Sequence, residues 1–200
     1  MIVKNFYVIL VIFAMFEMTF GQTIIMNCSA LEKISSNLSS SYLLGADIDC
    51  QGTSWTPIGN STQPFSGFLN GQGFCISNLT IPLKANNQGL FGCGQAAKVV
   101  NLYIKNVNAS AGMYCNVGVL FGSCKMCEIA GVHLSTTSPL YFNYVRSRYC
   151  CGGLIGTATS TNITNCTVEN TIVGATDQCD EYGELIPTIF SKKFFCETQN

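Results

Sequence analysis

The sequence predicts an all-β protein, a β-solenoid with a short N-terminal capping helix, and three observations carry that prediction. A six-residue pattern recurs in which the apolar alternation slips by one place at an Asn or a Gly. Glycine-bounded boxes precede those slips at one fixed distance. The stretches between hold β-branched and aromatic residues, with no helical period in their apolar positions.

The slips come first. In "FSGFLNGQGFCISNLTI" (Phe65–Ile81), Phe74 and Ile76 alternate as on a strand with one buried face, but beyond Asn78 the apolar residues are Leu79 and Ile81. "VVNLYI" (Val99–Ile104), "IAGVHL" (Ile129–Leu134) and "ITNCTV" (Ile163–Val168) repeat the layout of "ISNLTI" (Ile76–Ile81). The pivots are Asn78, Asn101, Gly131 and Asn165, and Asn and Gly are the residues that best tolerate positive φ. Such a residue bends a strand sharply while both arms keep facing one core. The four pivots are therefore expected to form a ladder of corners.

The boxes are "GLFG" (Gly89–Gly92), "VLFG" (Val119–Gly122) and "GLIG" (Gly153–Gly156). From the last glycine of each box to the next pivot the distance is nine residues every time. From a pivot to the next final box glycine the distances are 14, 21 and 25 residues. One part of every repeat is constant and the other absorbs all length variation. Repeats of 23 to 34 residues with this property predict stacked coils. A β-sandwich would also give alternating strands, but not corners of one type at matched offsets.

The stretch "YLLGADIDCQGTSWTPIGNSTQPFSGFLNGQGFCISNLTI" (Tyr42–Ile81), followed by the three boxes, resembles the GLUG-type repeat region of adhesin-like surface and secreted proteins. The matching pieces are Asp47-Ile48-Asp49, Trp55, Pro57-Ile58-Gly59, Phe65-x-Gly67 and Asn70-Gly71-x-Gly73, and together with the boxes they run to about Val173. The resemblance implies a right-handed parallel β-helix at the cell exterior and supplies no catalytic residues. The departure from the pattern is the high cysteine content.

In chain order, residues 1–21 read as a secretory signal peptide: Lys4, the eleven-residue apolar run Phe6–Phe16, then a small-residue exit near Gly21. No later segment is apolar enough to cross a membrane, so no transmembrane segment is expected after cleavage. Residues 22–46 read as an N-terminal cap, with Ser29 and Glu32 in a capping-box pattern and Leu31, Ile34 and Leu38 on one face of a short helix. The repeats occupy 47–173, and 174–200 break the pattern as a C-terminal cap or tail.

Twelve cysteines behind a signal peptide predict disulfides formed in an oxidising compartment. Stacking suggests the pairs Cys93–Cys124 and Cys115–Cys150 between neighbouring coils, and Cys179–Cys196 near the end. Cys166 falls in an inward apolar slot, which also suits a free thiol. Seven Asn-x-Ser/Thr sequons accord with secretion. Asn27, Asn37, Asn60, Asn108 and Asn162 are expected to accept glycans, whereas Asn78 and Asn165, folded into corners, are expected to be bare.

Net charge is −1 and charged residues make up 10% of the chain, which argues against nucleic acid as a partner. No cofactor or metal site is expected. The "CKMC" of Cys124–Cys127 lacks the βαβ setting of a redox motif, and the lone His133 with scattered cysteines does not give zinc-ligand spacing. Asp47 and Asp49 project to one side of a strand, and a structural role suits them better than a glycosidase pair. No catalytic residues are assigned.

The longest variable segment, "STTSPLYFNYVRSRYCC" (Ser135–Cys151), carries Tyr141, Phe142, Tyr144 and Tyr149 beside Arg146 and Arg148, the chain's two arginines. Tyr and Arg dominate the energetic centres of interfaces. These residues are the candidate ligand surface, unless the aromatics simply fold back over the scaffold. The expected role is structural or adhesive, secreted or at the cell surface, with an extracellular protein or glycan as partner. The alternative is a carbohydrate-active enzyme or carbohydrate-binding module on the same scaffold.

Overall fold

A computed structural model describes residues 21–82, 87–110, 116–136, 143–147, 150–169, 171–175 and 194–195. The chain begins with strand β1 (Gln22–Ile25), helix α1 (Cys28–Glu32) and a 3-10 turn (Lys33–Ser36). Short strands follow: β2 (Ser41–Leu44), β3 (Ile48–Asp49), β4 (Phe68–Asn70), β5 (Cys75–Ser77) and β6 (Thr80–Ile81). A longer plan then repeats. Its first pass is β7 (Asn87–Gln88), β8 (Phe91–Gln95), β9 (Lys98–Lys105) and β10 (Asn108–Ser110). Its second is β11 (Asn116–Val117), β12 (Phe121–Lys125), β13 (Glu128–Ser135) and β14 (Asn143–Ser147). The third is β15 (Cys150–Cys151), β16 (Ile155–Thr159), β17 (Asn162–Thr164), β18 (Thr167–Val168) and β19 (Thr171–Ala175), and β20 (Phe194–Phe195) comes last.

Pairing is parallel throughout the described strands except between β18 and β20. Each strand pairs with its counterpart one coil away, as in β8–β12–β16 and β7–β11–β15. The protein is therefore a parallel β-solenoid of about three turns with one short helix. The segment 22–46, read from the sequence as a cap, itself supplies β1 and β2 to the largest sheet.

Corners explain why the strands are short. Positive φ occurs at Ala96, Asn101 and Asn106 (52°, 52° and 54°), at Met126 and Gly131 (56° and 63°), and at Ser160 and Asn165 (50° and 49°). Within each coil these residues lie five apart, so each flat face is four residues long. Strand β9 pivots at Asn101 and β13 at Gly131, and both keep pairing on either side, from Lys98↔Glu128 to Lys105↔Ser135. Around the Asn101 pivot, Val99, Leu102 and Ile104 are fully buried.

One member of the expected corner ladder sits elsewhere. Ser77 pairs with Lys105, which sets Asn78 (φ 59°) level with Asn106 rather than Asn101. The Asn106 amide donates to Asn78 Oδ1 at 3.1 Å. The corner below Asn101 is formed by Gln72 and Gly73 (φ 52° and 80°), with the Gly73 N–H donating to the Asn101 carbonyl. The same local pattern thus serves two different corners, because sterics demand the same residue types at both.

A non-glycine residue in the left-handed region costs on the order of 1–2 kcal/mol, least for Asn. The Asn101 side chain is exposed, so substitution there tests the backbone alone. Asn101→Val is expected to destabilise the fold by roughly 1–2 kcal/mol, while Asn101→Gly stays within about 0.5 kcal/mol. Urea unfolding midpoints of the two variants decide the matter.

The core is a column of apolar rungs. Phe65, Phe91 and Phe121 stack with ring centroids 4.3 and 4.9 Å apart, all fully buried. At the N-terminal end the Asn27 side chain caps α1 by accepting from the Ala30 N–H at 2.9 Å, two residues before the cap expected at Ser29. Asn is as good a cap as Ser. Leu31 and Ile34 enter the core, and a Cys28–Cys50 disulfide ties the helix to the first coil.

Candidate binding face

The segment 135–151 is not a plain insertion. Its central residues form β14, a strand of the sheet β6–β10–β14–β19, because the solenoid continues through it. Tyr144 is level with Asn108, and Arg146 with Ser110. Asn108 is in turn level with Thr80, and both are exposed, whereas Ala109 and Ile81, level with Val145, are fully buried. The register therefore sets Tyr144 level with Asn108 and Thr80 on one side and with Ile172 on the other. Tyr141, Phe142, Arg148 and Tyr149 lie outside the described residues, as do 1–20, Cys115, Cys179 and most of the C-terminal segment including Cys196.

A second column, half-buried except at Tyr103, runs along β5, β9, β13 and β18. Cys75 pairs with Tyr103, Tyr103 with His133, and His133 with Thr167. Ile48 pairs with Ile76, so Asp47 is level with Cys75, and the Cys75 N–H donates to Asp47 Oδ1 at 2.8 Å. The Tyr103 and His133 rings lie 5.1 Å apart at an interplanar angle of 33°, and His133 Nδ1 is 2.9 Å from Thr167 Oγ1. Tyr103 is 41% exposed. His133, the lone histidine of the sequence, thus has an aromatic neighbour one coil away. Aligning "NLYI", "GVHL" and "NCTV" would have shown that Tyr103, His133 and Thr167 share one repeat position.

The acidic residues on this side serve the scaffold. Asp49 Oδ1 accepts from the Gln51 N–H at 2.9 Å and from the Asn78 amide at 2.8 Å. The Asn78 and Cys75 bonds tie this coil to the next, and the Gln51 bond holds the local turn. Among the described residues, no group of three or more His, Cys, Asp or Glu is placed to hold a metal ion.

The cysteines correct one expectation. Cys124 is bonded to Cys127, not to Cys93. The register pairs Cys93 with Ser123 and Cys124 with Gly94, so the two cysteines occupy successive positions and project to opposite faces. Cys93 instead receives the Asn87 amide at 3.1 Å. The Cys124–Cys127 bridge spans the left-handed Met126 and staples one corner. Cys166 is buried, with its sulfur 3.5 Å from the Val132 nitrogen.

Cys75 is a half-buried free thiol. Burial, chiefly, pushes it up from its usual 9.0 to about 11; Lys105 opposes that rise and Asp47 adds to it. Thiolate is the reactive form, so at pH 8 alkylation of Cys75 by iodoacetamide is expected roughly a hundredfold slower than in the unfolded chain. Its rate should keep climbing beyond pH 9, where an ordinary thiol levels off. Peptide-resolved alkylation rates across pH check both points.

Among the described residues no helix is long and apolar enough to cross a membrane. Fold and motifs together define a parallel β-solenoid bearing a GLUG repeat: residues 147–173, from the end of β14 into β19, match the family described as the GLUG motif. The chain is 34% identical over 142 residues to halomucin from Haloquadratum walsbyi (strain DSM 16790 / HBSQ001). That match covers 64% of this chain and spans 1% of halomucin's length. A crystal structure of a candidate immunoglobulin A1 protease from Bacteroides ovatus is similar with a TM-score of 0.47 and 20% identity, covering 78% of this chain and 59% of that one.

Proposed function

We propose that this chain is a secreted or cell-surface, disulfide-stapled glycoprotein whose role is structural or adhesive, with its first 21 residues directing export. The observation that carries the reading is the unbroken parallel stacking of coils, which holds outward positions in fixed columns. A rigid lattice of this kind suits repeated contact with an extended partner. The GLUG motif and the similarity to halomucin support a surface role. The engagement of Asp47 and Asp49 in scaffold hydrogen bonds supports a non-enzymatic one.

Ligand contact is assigned to the side carrying β14, through Tyr144 and Arg146 and the flanking Tyr141, Phe142, Arg148 and Tyr149. An array of extracellular proteins and glycans, probed with the wild-type protein and a Tyr144→Ala/Arg146→Ala variant, tests this. The wild type should bind a partner that the variant loses while its melting temperature is unchanged. Equal binding by both proteins removes the assignment to the β14 side, and no binding by either removes the adhesive role.

Glycans are proposed at Asn27, Asn37, Asn60, Asn108 and Asn162, which are all exposed. At Asn60 the Asn Oδ1 accepts from both the N–H and the hydroxyl of Thr62, so the sequon forms a tight exposed turn. Asn78 differs, since its side chain donates to Asp49 and accepts from Asn106. Glycopeptide mass spectrometry is expected to find those five sites occupied and Asn78 bare. Asn165, by contrast, is exposed at its corner, so only its backbone geometry speaks for a bare site.

A further inference from the structure

We propose a second binding site on the column that runs from Asp47 through Cys75, Tyr103 and His133 to Thr167, and that it takes an extended, neutral oligosaccharide lying along the solenoid axis. The site stands apart from the Tyr144 position and does not depend on it. Three features of the column select that occupant.

The first is spacing. Parallel coils set level residues about 4.8 Å apart, which is close to the repeat of successive sugar rings in an extended chain. A periodic ligand can therefore meet one rung with each unit. The second is chemistry. The column offers an exposed tyrosine ring packed on an imidazole, suited to the C–H faces and edges of sugars, and hydroxyl and carboxylate groups suited to sugar hydroxyls. The scaffold bonds to Asp47 and Asp49 all go to Oδ1, which leaves Oδ2 of each exposed carboxylate as an acceptor.

The third is charge. Level with Asp49 and Ser77 on the same face stands Lys105, so the surface mixes signs and carries no basic stripe. An anionic polymer such as a sulfated glycan or nucleic acid would meet the two aspartates with a single lysine to compensate. A hydrophobic partner has little to cover, because Tyr103 is the only large apolar side chain that is exposed in this column among the described residues. Strand addition is closed to a peptide here, since the interior coils already pair on both sides.

The test uses the folded chain, titrated by calorimetry with cellobiose, cellohexaose, chitohexaose and a heparin hexasaccharide. Cellohexaose or chitohexaose is expected to bind, with cellobiose at least about tenfold weaker than cellohexaose because it meets fewer rungs. Tyr103→Ala should weaken binding about tenfold or more, while Tyr103→Phe, which keeps the ring, stays within about threefold. Tyr103→Phe keeps the ring packed on His133, so its melting temperature should not move, and Tyr103→Ala should still melt cooperatively. Tyr144→Ala/Arg146→Ala should leave this binding intact, which separates the two sites. Failure of both neutral hexamers to bind, wild-type affinity in Tyr103→Ala, no dependence on chain length, or preference for heparin would each overturn the proposal.

Discussion

Gly122→Ala is expected to destabilise the solenoid by about 3 kcal/mol or more, lowering the melting temperature by roughly 6–12 °C. Gly122 closes the second box, where the chain passes directly against the preceding coil. A methyl group there would lie 2.5 Å from the Gln88 nitrogen and 2.6 Å from the Asn87 carbonyl carbon. Both are backbone atoms, so no side chain can rotate away, and the coils would have to separate. Separation would break the parallel bonds of β8 with β12 and of β7 with β11. The same position is tight in the other boxes, with Gly156 against the Val117 nitrogen at 2.6 Å and Gly92 against the Gly59 carbonyl. Thermal melts followed by circular dichroism, with Ser123→Ala as neighbour control, measure the effect. A shift below about 2 °C for Gly122→Ala would show that the close approach does not constrain the fold.

Phe91→Ala should cost about 3–5 kcal/mol from the cavity alone, with a further increment of roughly 1 kcal/mol for two lost ring contacts. Phe91 is fully buried and is the middle ring of the stack with Phe65 and Phe121. Its removal leaves a void between two coils that cannot collapse, because the strands on either side are fixed by their hydrogen bonds at the usual spacing. Phe121→Ala should cost less, since its neighbour one coil further on is Ile155 and only one ring contact is lost. Chemical denaturation of the two variants ranks them, and a larger loss for Phe121→Ala would contradict the stack as the organising feature of the core.

Much of this architecture is visible in the chain before it folds. The pivots at Asn101, Gly131 and Asn165 stand out because few residue types accept left-handed backbone. The corners at Ala96, Met126 and Ser160 have the same geometry without that signal. There the parallel bonds on both sides, and at Met126 the Cys124–Cys127 bridge, hold a conformation the residue itself does not favour. The candidate site divides in the same way. Tyr and Arg in 135–151 were conspicuous by composition, but that Asn143–Ser147 continues a sheet depended on pairing with β10 and β19.

What the amino-acid order determined by itself was local: extended strands, and bends at Asn and Gly. Each demand is a steric matter settled within a few residues. What only the folded chain decided was which residues stand level: Asn78 with Asn106, Cys93 with Ser123, Tyr103 with His133. Those partners lie about thirty residues apart, and their alignment follows from how the variable segments close, a property of the whole stack of coils.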